Sequence, residues 1–385
     1  MTARERVQKA FRHEEPDRVP VYEQTVCTRI ASEIMGRLMR TGGGRIRWEE
    51  TAARYESEEA WQNYVGHLLE DVGDLICELD FDIVGIPWRH SERPAAKLDD
   101  HTFRYQDPET QTWTIYHYDE VTDVFDVVDS AVRREGIPAL ERLVKAVVRA
   151  AEQAQPPTAD TYADLRAIAQ RAGGERMLKS GEGFLWVPPE APWLEACSLR
   201  PGLIEQYLEA AAHQALVAIP ALPGLGIGIL WAGGDLASSA GPIYSPAMFR
   251  RFILPRLRQI TRAAHEAGLV YLFRTDGNIW PIVEDLLVES GIDGYGEIDN
   301  DAGMDPAELK RKFPHLTLWG GMSCGSTLVF DTPIEIRERV RHVMETCAPG
   351  GGFIFGSSNS IHNGIPTGNF VAMLEAARDF GCYPR

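Results

Sequence analysis

Apolar and polar positions fall into two alternating kinds of block. Short apolar runs of strand length are followed by longer stretches with helical spacing, most regularly from about residue 180 onward. The pattern predicts strands at residues 81–86, 184–187, 226–231, 269–273, 292–297, 316–319 and 352–355. Helices are predicted at 140–153, 201–218, 245–267, 279–290, 306–313, 332–346 and 369–379. Ser245 before Pro246, and Thr332 before Pro333, read as N-caps followed by proline in the first turn, and Pro255 predicts a bend. Residues 91–128 depart from this rhythm. Thr112-Trp113-Thr114-Ile115-Tyr116 alternates with period two, so the segment reads as an inserted hairpin.

Strand–helix alternation with short connections predicts parallel strands joined by right-handed crossovers. About eight such units fit, which favours a single (β/α)8 (TIM) barrel domain over residues 1–385, with the hairpin as an insertion. No GxGxxG follows a strand and no GxxxxGK[ST] is present, which disfavours dinucleotide-binding and P-loop folds.

Composition narrows the function classes. Of 385 residues, 44% are hydrophobic and 25% charged, as in an ordinary globular protein. The formal charge of −17 disfavours nucleic acid and anionic membranes as partners. The first fifteen residues lack a signal-peptide core, and the six scattered cysteines form no CxxC pair, which predicts a cytoplasmic protein with reduced thiols.

In a barrel, the residues just past each strand share one face, where catalysis is built. Tyr271-Leu272-Phe273 ends abruptly at Arg274-Thr275-Asp276-Gly277-Asn278. The other predicted strand ends supply Trp88 and Arg89, Asp235, Glu297 with Asp299, Ser323 with Cys324, and Asn359 with His362. Each alone has an ordinary explanation, such as an Asx turn at Asp276 or a hydrogen-bonded loop histidine at His362. Six strand ends behaving alike point to a site. Asp276, Glu297 and Cys324, with His362, are candidate ligands for a divalent metal such as zinc, and a buried ion network around Arg274 is the equal alternative. His362 is also a candidate general acid, and Asp82 a carboxylate aimed into the barrel mouth. Trp88, Trp186, Trp193, Trp231 and Trp280 are candidates for lining an aromatic pocket, with ordinary packing as the alternative for most.

Several segments resemble the uroporphyrinogen decarboxylase superfamily. These are Arg4-Glu5-Arg6-Val7-Gln8-Lys9-Ala10-Phe11, Pro16-Asp17-Arg18-Val19-Pro20-Val21, Gly234-Asp235-Leu236-Ala237-Ser238, Ile243-Tyr244-Ser245-Pro246, Thr275-Asp276-Gly277-Asn278-Ile279, Pro349-Gly350-Gly351-Gly352-Phe353-Ile354 and residues 359–369. The resemblance implies a (β/α)8 barrel with its cleft at the C-terminal face, in a superfamily of porphyrinogen decarboxylases and corrinoid-linked methyltransferases. In the decarboxylase branch, Asp82 is similar to the aspartate that contacts pyrrole NH groups, and His362 matches a motif histidine. The carboxylate-binding Arg-Gln-Ala-Gly-Arg motif is replaced by Val21-Tyr22-Glu23-Gln24-Thr25-Val26-Cys27. In the methyltransferase branch, Arg274 and Asp276 stand where a His-x-Cys zinc pair is usual. Glu297 stands at the glutamate ligand and Asn359 near the last cysteine.

These substitutions direct the expectation toward methyl transfer between a small methylated substrate and a corrinoid (cobalamin) carrier, free or on a partner protein. The expected catalytic groups are Asp276, Arg274, His362 and Asp82. Trp88, Asp235, Asn278, Asn359 and Trp186 are expected to bind substrate. If zinc is used, it has moved to Asp276, Glu297 and Cys324; otherwise Arg274 takes its electrostatic role. Decarboxylation of a porphyrinogen or smaller acid is the alternative, and a non-catalytic ligand-binding barrel the second. The resemblance also suggests a homodimer.

Overall fold

The structure, a computed structural model, describes residues 1–383. In chain order its strands are β1 (Ile83–Val84), β2 (Ala96–Lys97), β3 (Thr102–Gln106), β4 (Trp113–Asp119), β5 (Val124–Ser130), β6 (Met177–Ser180), β7 (Ile227–Gly233), β8 (Ala237–Ser238), β9 (Gly241–Pro242), β10 (Val270–Arg274), β11 (Gly294–Gly296), β12 (Thr317–Met322) and β13 (Phe353–Ser357). Seven form one parallel sheet in the order β1-β6-β7-β10-β11-β12-β13. Residues 19–22 lie between its two edges. The Phe355 N–H donates to the Pro20 carbonyl and the Tyr22 N–H to the Phe355 carbonyl, while the Asp82 N–H donates to the Val21 carbonyl. This segment is the eighth stave, and it closes the predicted (β/α)8 barrel.

Helices alternate with the strands as expected: Pro201–Ala218 before β7, Leu254–Glu266 before β10, Pro306–Lys312 before β12 and Pro333–Cys347 before β13. Thr332 caps the last of these through a capping box with Glu335, and Ser245 accepts from the Met248 N–H. The bend expected at Pro255 is a π-helical turn at Phe249–Ile253, which lets the chain enter the helix holding that proline.

Two expectations are corrected. The insertion is a four-stranded antiparallel sheet, β2-β3-β4-β5, larger than a hairpin. Its buried face holds Phe103, Tyr105, Tyr118 and Phe125. Residues 184–187 form no strand; that stave is β6, slightly upstream, where Lys179 breaks the apolar run.

The N-terminal helix Ala3–Phe11 plugs the barrel's lower end. Its Val7 and Ala10 pack with Ile83, Met177, Ile229, Leu272 and Ile354, which point inward from the staves. Above them lie Tyr22, Trp231 and Trp319, with ring centroids 4.9–5.7 Å apart. The close approach depends on glycine: a Cβ at Gly296 would collide with the Trp319 ring. Among the described residues, no helix is long and apolar enough to cross a membrane.

Candidate active site at the C-terminal mouth of the barrel

The aromatic layer of Tyr22, Trp231 and Trp319 is the floor on which the polar groups sit. Strand β10 pairs with β7 and β11 in a register that sets Arg274 beside Gly233 and Gly296. Two side-chain-free neighbours leave space for the guanidinium. It donates through Nη1 to both carboxylate oxygens of Glu297, at 2.8 and 3.0 Å, and its Cζ lies 4.8 Å from the Phe184 ring centroid. Glu297 is 2% exposed and sits just past β11 with φ of +63°. A non-glycine residue held in that conformation costs on the order of 1–3 kcal/mol and is common at functional sites. The Gln24 amide also donates to Glu297, at 3.2 Å. Burial pushes the Glu297 carboxyl up and the Arg274 charge pulls it back.

Asp276 follows on the next turn. It accepts from Asn359 Nδ2 at 3.0 Å, and burial, then the neighbouring Asp235 charge, pushes its carboxyl above the usual range. Asn359 in turn leads to Glu23. The Ser357 hydroxyl lies 2.5 Å from both Glu23 Oε2 and the Asn359 carbonyl. One hydroxyl proton cannot serve two acceptors. Burial pushes Glu23 up to about 8, so at neutral pH it holds a proton and donates to Ser357, which donates to Asn359. The mouth therefore contains a proton-bearing chain from Glu23 to the residue that holds Asp276.

Lys179 was not expected here. It projects inward from β6, with Nζ 5.7 Å from the Tyr22 ring centroid and 5.6 Å from that of Trp231. No hydrogen bond or ion pair engages it among the described residues. Burial, and then Arg274, brings its ammonium down to about 7, against the pull of Glu297. The sequence signal was a single lysine inside the buried strand Met177–Ser180. Two further polar atoms nearby are buried without partners: the Trp231 indole N–H and Gln24 Oε1. A Cβ at Gly85 would collide with the Lys179 side chain, so this residue too is sized for its neighbour.

The structure brings Arg274, Asp276, Glu297 and Asn359 together. Asp235 follows β7 at the rim, where its carbonyl accepts from the Tyr244 hydroxyl at 3.3 Å, and Trp186 packs beside Gly234. Other expected residues have structural tasks. Asp82 precedes β1 at the opposite end of the barrel, fully buried, and is held by Arg6 at 2.5 Å, Arg18 at 2.7 Å and the Val21 N–H at 2.7 Å. It fastens the plug helix and the first stave, and it does not reach the mouth. His362 is exposed; its Nε2 pairs with the Cys324 carbonyl and its Nδ1 accepts from the Gly364 N–H, which occupies both ring nitrogens. The Asn278 side chain accepts from the Trp280 N–H and caps that turn. Trp88 is 75% exposed, with Arg47 stacked 4.5 Å from its ring centroid.

The donor set does not fit zinc. Among the described residues, no group of three or more His, Cys, Asp or Glu side chains is placed to hold a metal ion. Glu297 is taken by Arg274, and a guanidinium cannot ligate. The Cys324 thiol accepts from the Ser358 hydroxyl at 3.5 Å, and burial pushes it up to about 11, away from the thiolate that binds metal. The relocated site at Asp276, Glu297 and Cys324 is therefore not assembled.

Comparison with known proteins agrees with this architecture. Residues 232–380 match the uroporphyrinogen decarboxylase (URO-D) family. The uroporphyrinogen decarboxylase of Alkalilimnicola ehrlichii is 29% identical over 145 residues, 37% of this chain and 37% of that protein. That of Actinobacillus succinogenes is 25% identical over 149 residues, 38% of this chain and 39% of that protein. The aligned stretch thus spans well under half the length of either relative. A solved methyltransferase from Methanosarcina mazei superposes with a TM-score of 0.60 at 17% identity, covering 99% of both chains. At that identity the likeness is one of fold. The family match takes in the last four barrel strands, β10 to β13, and the whole chain shares the fold of that methyltransferase.

Proposed function

We propose that the protein is a methyltransferase that moves a methyl group between a small substrate and a corrinoid carrier. The observation that carries this reading is the Arg274–Glu297 pair at the mouth, 2.8 Å apart, where the methyltransferase branch places zinc ligands. Methyl transfer needs its leaving group stabilised. A guanidinium on a dry aromatic floor supplies fixed positive charge for that purpose, without reorganisation at the moment of reaction. Asp276, with its carboxyl raised by burial and held by Asn359, is placed to lend a proton. The corrinoid would supply the nucleophile that accepts the methyl group. Glu297 fixes Arg274, and Phe184 covers it from the loop above.

The test is incubation with cob(I)alamin and a panel of methylated donors, following methylcobalamin by its absorbance. Methyl transfer that falls at least tenfold in Arg274→Met supports the reading. Absence of methylcobalamin with every donor sinks it.

Decarboxylation of a carboxylic acid is the second reading, favoured by the two cations Arg274 and Lys179 in one mouth. It predicts carbon dioxide release from an acid substrate. Uroporphyrinogen itself fits poorly: Asp82, the residue expected at the pyrrole nitrogens, lies at the wrong end.

A further inference from the structure

We propose that the methyl donor is an O-methyl compound, and that Lys179 together with Arg274 receives its departing oxygen as an oxyanion; the inference rests on the methyl-transfer reading above. Lys179 Nζ hangs in the barrel mouth beside Gly85, 5.7 Å from the Tyr22 ring centroid and 5.6 Å from that of Trp231. Its three donors have no protein acceptor. The Trp231 indole N–H, in a side chain 1% exposed, is likewise unpartnered. A buried donor left unsatisfied costs on the order of 1–3 kcal/mol. The unpaired Lys179 ammonium beside the Trp231 ring, and the buried unpartnered N–H of that same ring, leave donor capacity here for an acceptor that the protein does not contain.

The surroundings fix the charge of that acceptor. The groups facing Lys179 are Tyr22 from the first stave, Trp231 from β7, Arg274 from β10 and Glu297 past β11. Glu297 is committed to Arg274, and Glu23 beneath is held neutral by burial. An ammonium or sulfonium donor would leave as a neutral amine or thioether, which gains little from an N–H donor such as the unpaired Lys179 ammonium. A thiolate leaving group is softer and is served by metal rather than by N–H donors. An oxygen leaving group alone becomes a hard anion during the step, which is where fixed N–H donors count.

The step balances without further reagents. The methyl carbon–oxygen bond breaks heterolytically and its electron pair stays on oxygen. The oxygen takes a proton from the Lys179 ammonium, whose affinity for it is already weakened by burial and by Arg274. A corrinoid, when bound, would supply the electron pair that takes the methyl group. Solvent returns the proton to Lys179.

Two experiments separate this inference from the reading beneath it. In the first, 4-nitrophenol is titrated into the protein at a pH where it is mostly neutral in water, and its phenolate band is followed. Binding as the phenolate is expected. Lys179→Met should weaken that binding at least tenfold, with an unchanged circular dichroism spectrum. Binding as the neutral phenol, or equal phenolate binding by the variant, overturns the oxyanion site. In the second, cob(I)alamin is offered 4-methoxybenzoate or tetramethylammonium. Transfer from the methoxy compound alone, cut about a hundredfold by Lys179→Met, is expected. Transfer from tetramethylammonium alone overturns the donor class while leaving methyl transfer intact. Transfer from neither overturns the donor class, and a full donor panel then decides the methyl-transfer reading itself.

Discussion

The two ends of the barrel both bury carboxylates against arginines, and they do so differently. At the lower end, Asp82 is enclosed by Arg6, Arg18 and the Val21 N–H, and Arg6 also grips Asp17 at 2.7 and 2.9 Å. Every charged group there has its partners. At the upper end, Arg274 has Glu297, but Lys179, the Trp231 N–H and Gln24 Oε1 have none, and Glu297 holds a left-handed backbone. A saturated network is what a joint needs, because each unmade bond would weaken it. An unsaturated one is stable only because the surrounding barrel is rigid, and it keeps bonding capacity for something that arrives later. Equal burial and equal charge therefore mean different things at the two ends; what separates them is the count of partners.

The contrast can be broken by exchanging the effects of mutations. Asp82→Ala removes the buried carboxylate that Arg6 and Arg18 share, leaving them only the exposed Asp17 and Asp80, and should cost about 3 kcal/mol of stability, read by urea denaturation. Activity per folded molecule should be unchanged. A variant that folds as well as the parent but loses turnover would move the site to the lower end.

Arg274→Met should behave in the opposite way, losing about a hundredfold or more in turnover. Its stability should change less than that of Asp82→Ala, because Glu297 can take up a proton once the charge is gone. A large unfolding effect with normal turnover would make Arg274 structural.

Glu23→Gln sharpens the comparison through pH. Glu23 has its carboxyl raised to about 8 in the fold, against an ordinary value of 4.5. Between those values the folded chain binds more protons than the unfolded one, so stability falls as pH rises through this window. Glutamine can keep the bond to Ser357 without titrating. The variant should therefore lose that contribution to the decline, and its advantage over the parent should grow from pH 5 to pH 8. Identical pH profiles of melting temperature would contradict a protonated Glu23.

His362→Ala is expected to have the smallest effect, about 1 kcal/mol of stability from the loop bonds to Cys324 and Gly364, with turnover within a few-fold of the parent. A thousandfold loss would restore His362 as an acid.

The sequence made the barrel legible because short continuous apolar runs and helical blocks alternate and glycine or proline punctuates them. It also located Arg274, Asp276 and Glu297, since charged residues directly after apolar strands have few other reasons to be there. Asp82 misled because a carboxylate in a short strand reads alike whichever end it faces; only the position of β1, beginning at Ile83, decides. Lys179 escaped because its strand is four residues long and its neighbours Arg176 and Ser180 blur the apolar run. Unpartnered atoms such as the Trp231 N–H have no signature in sequence at all, because partnership is settled by folding.

The central claim is that fixed cations at the mouth do the work that zinc does in the methyltransferase branch. It is tested most directly by measuring methyl transfer to cob(I)alamin from 4-methoxybenzoate before and after exhaustive chelation, with metal content determined on the same samples. The account predicts an unchanged rate in protein stripped of zinc. Loss of transfer on chelation, with recovery on adding zinc back, would contradict it.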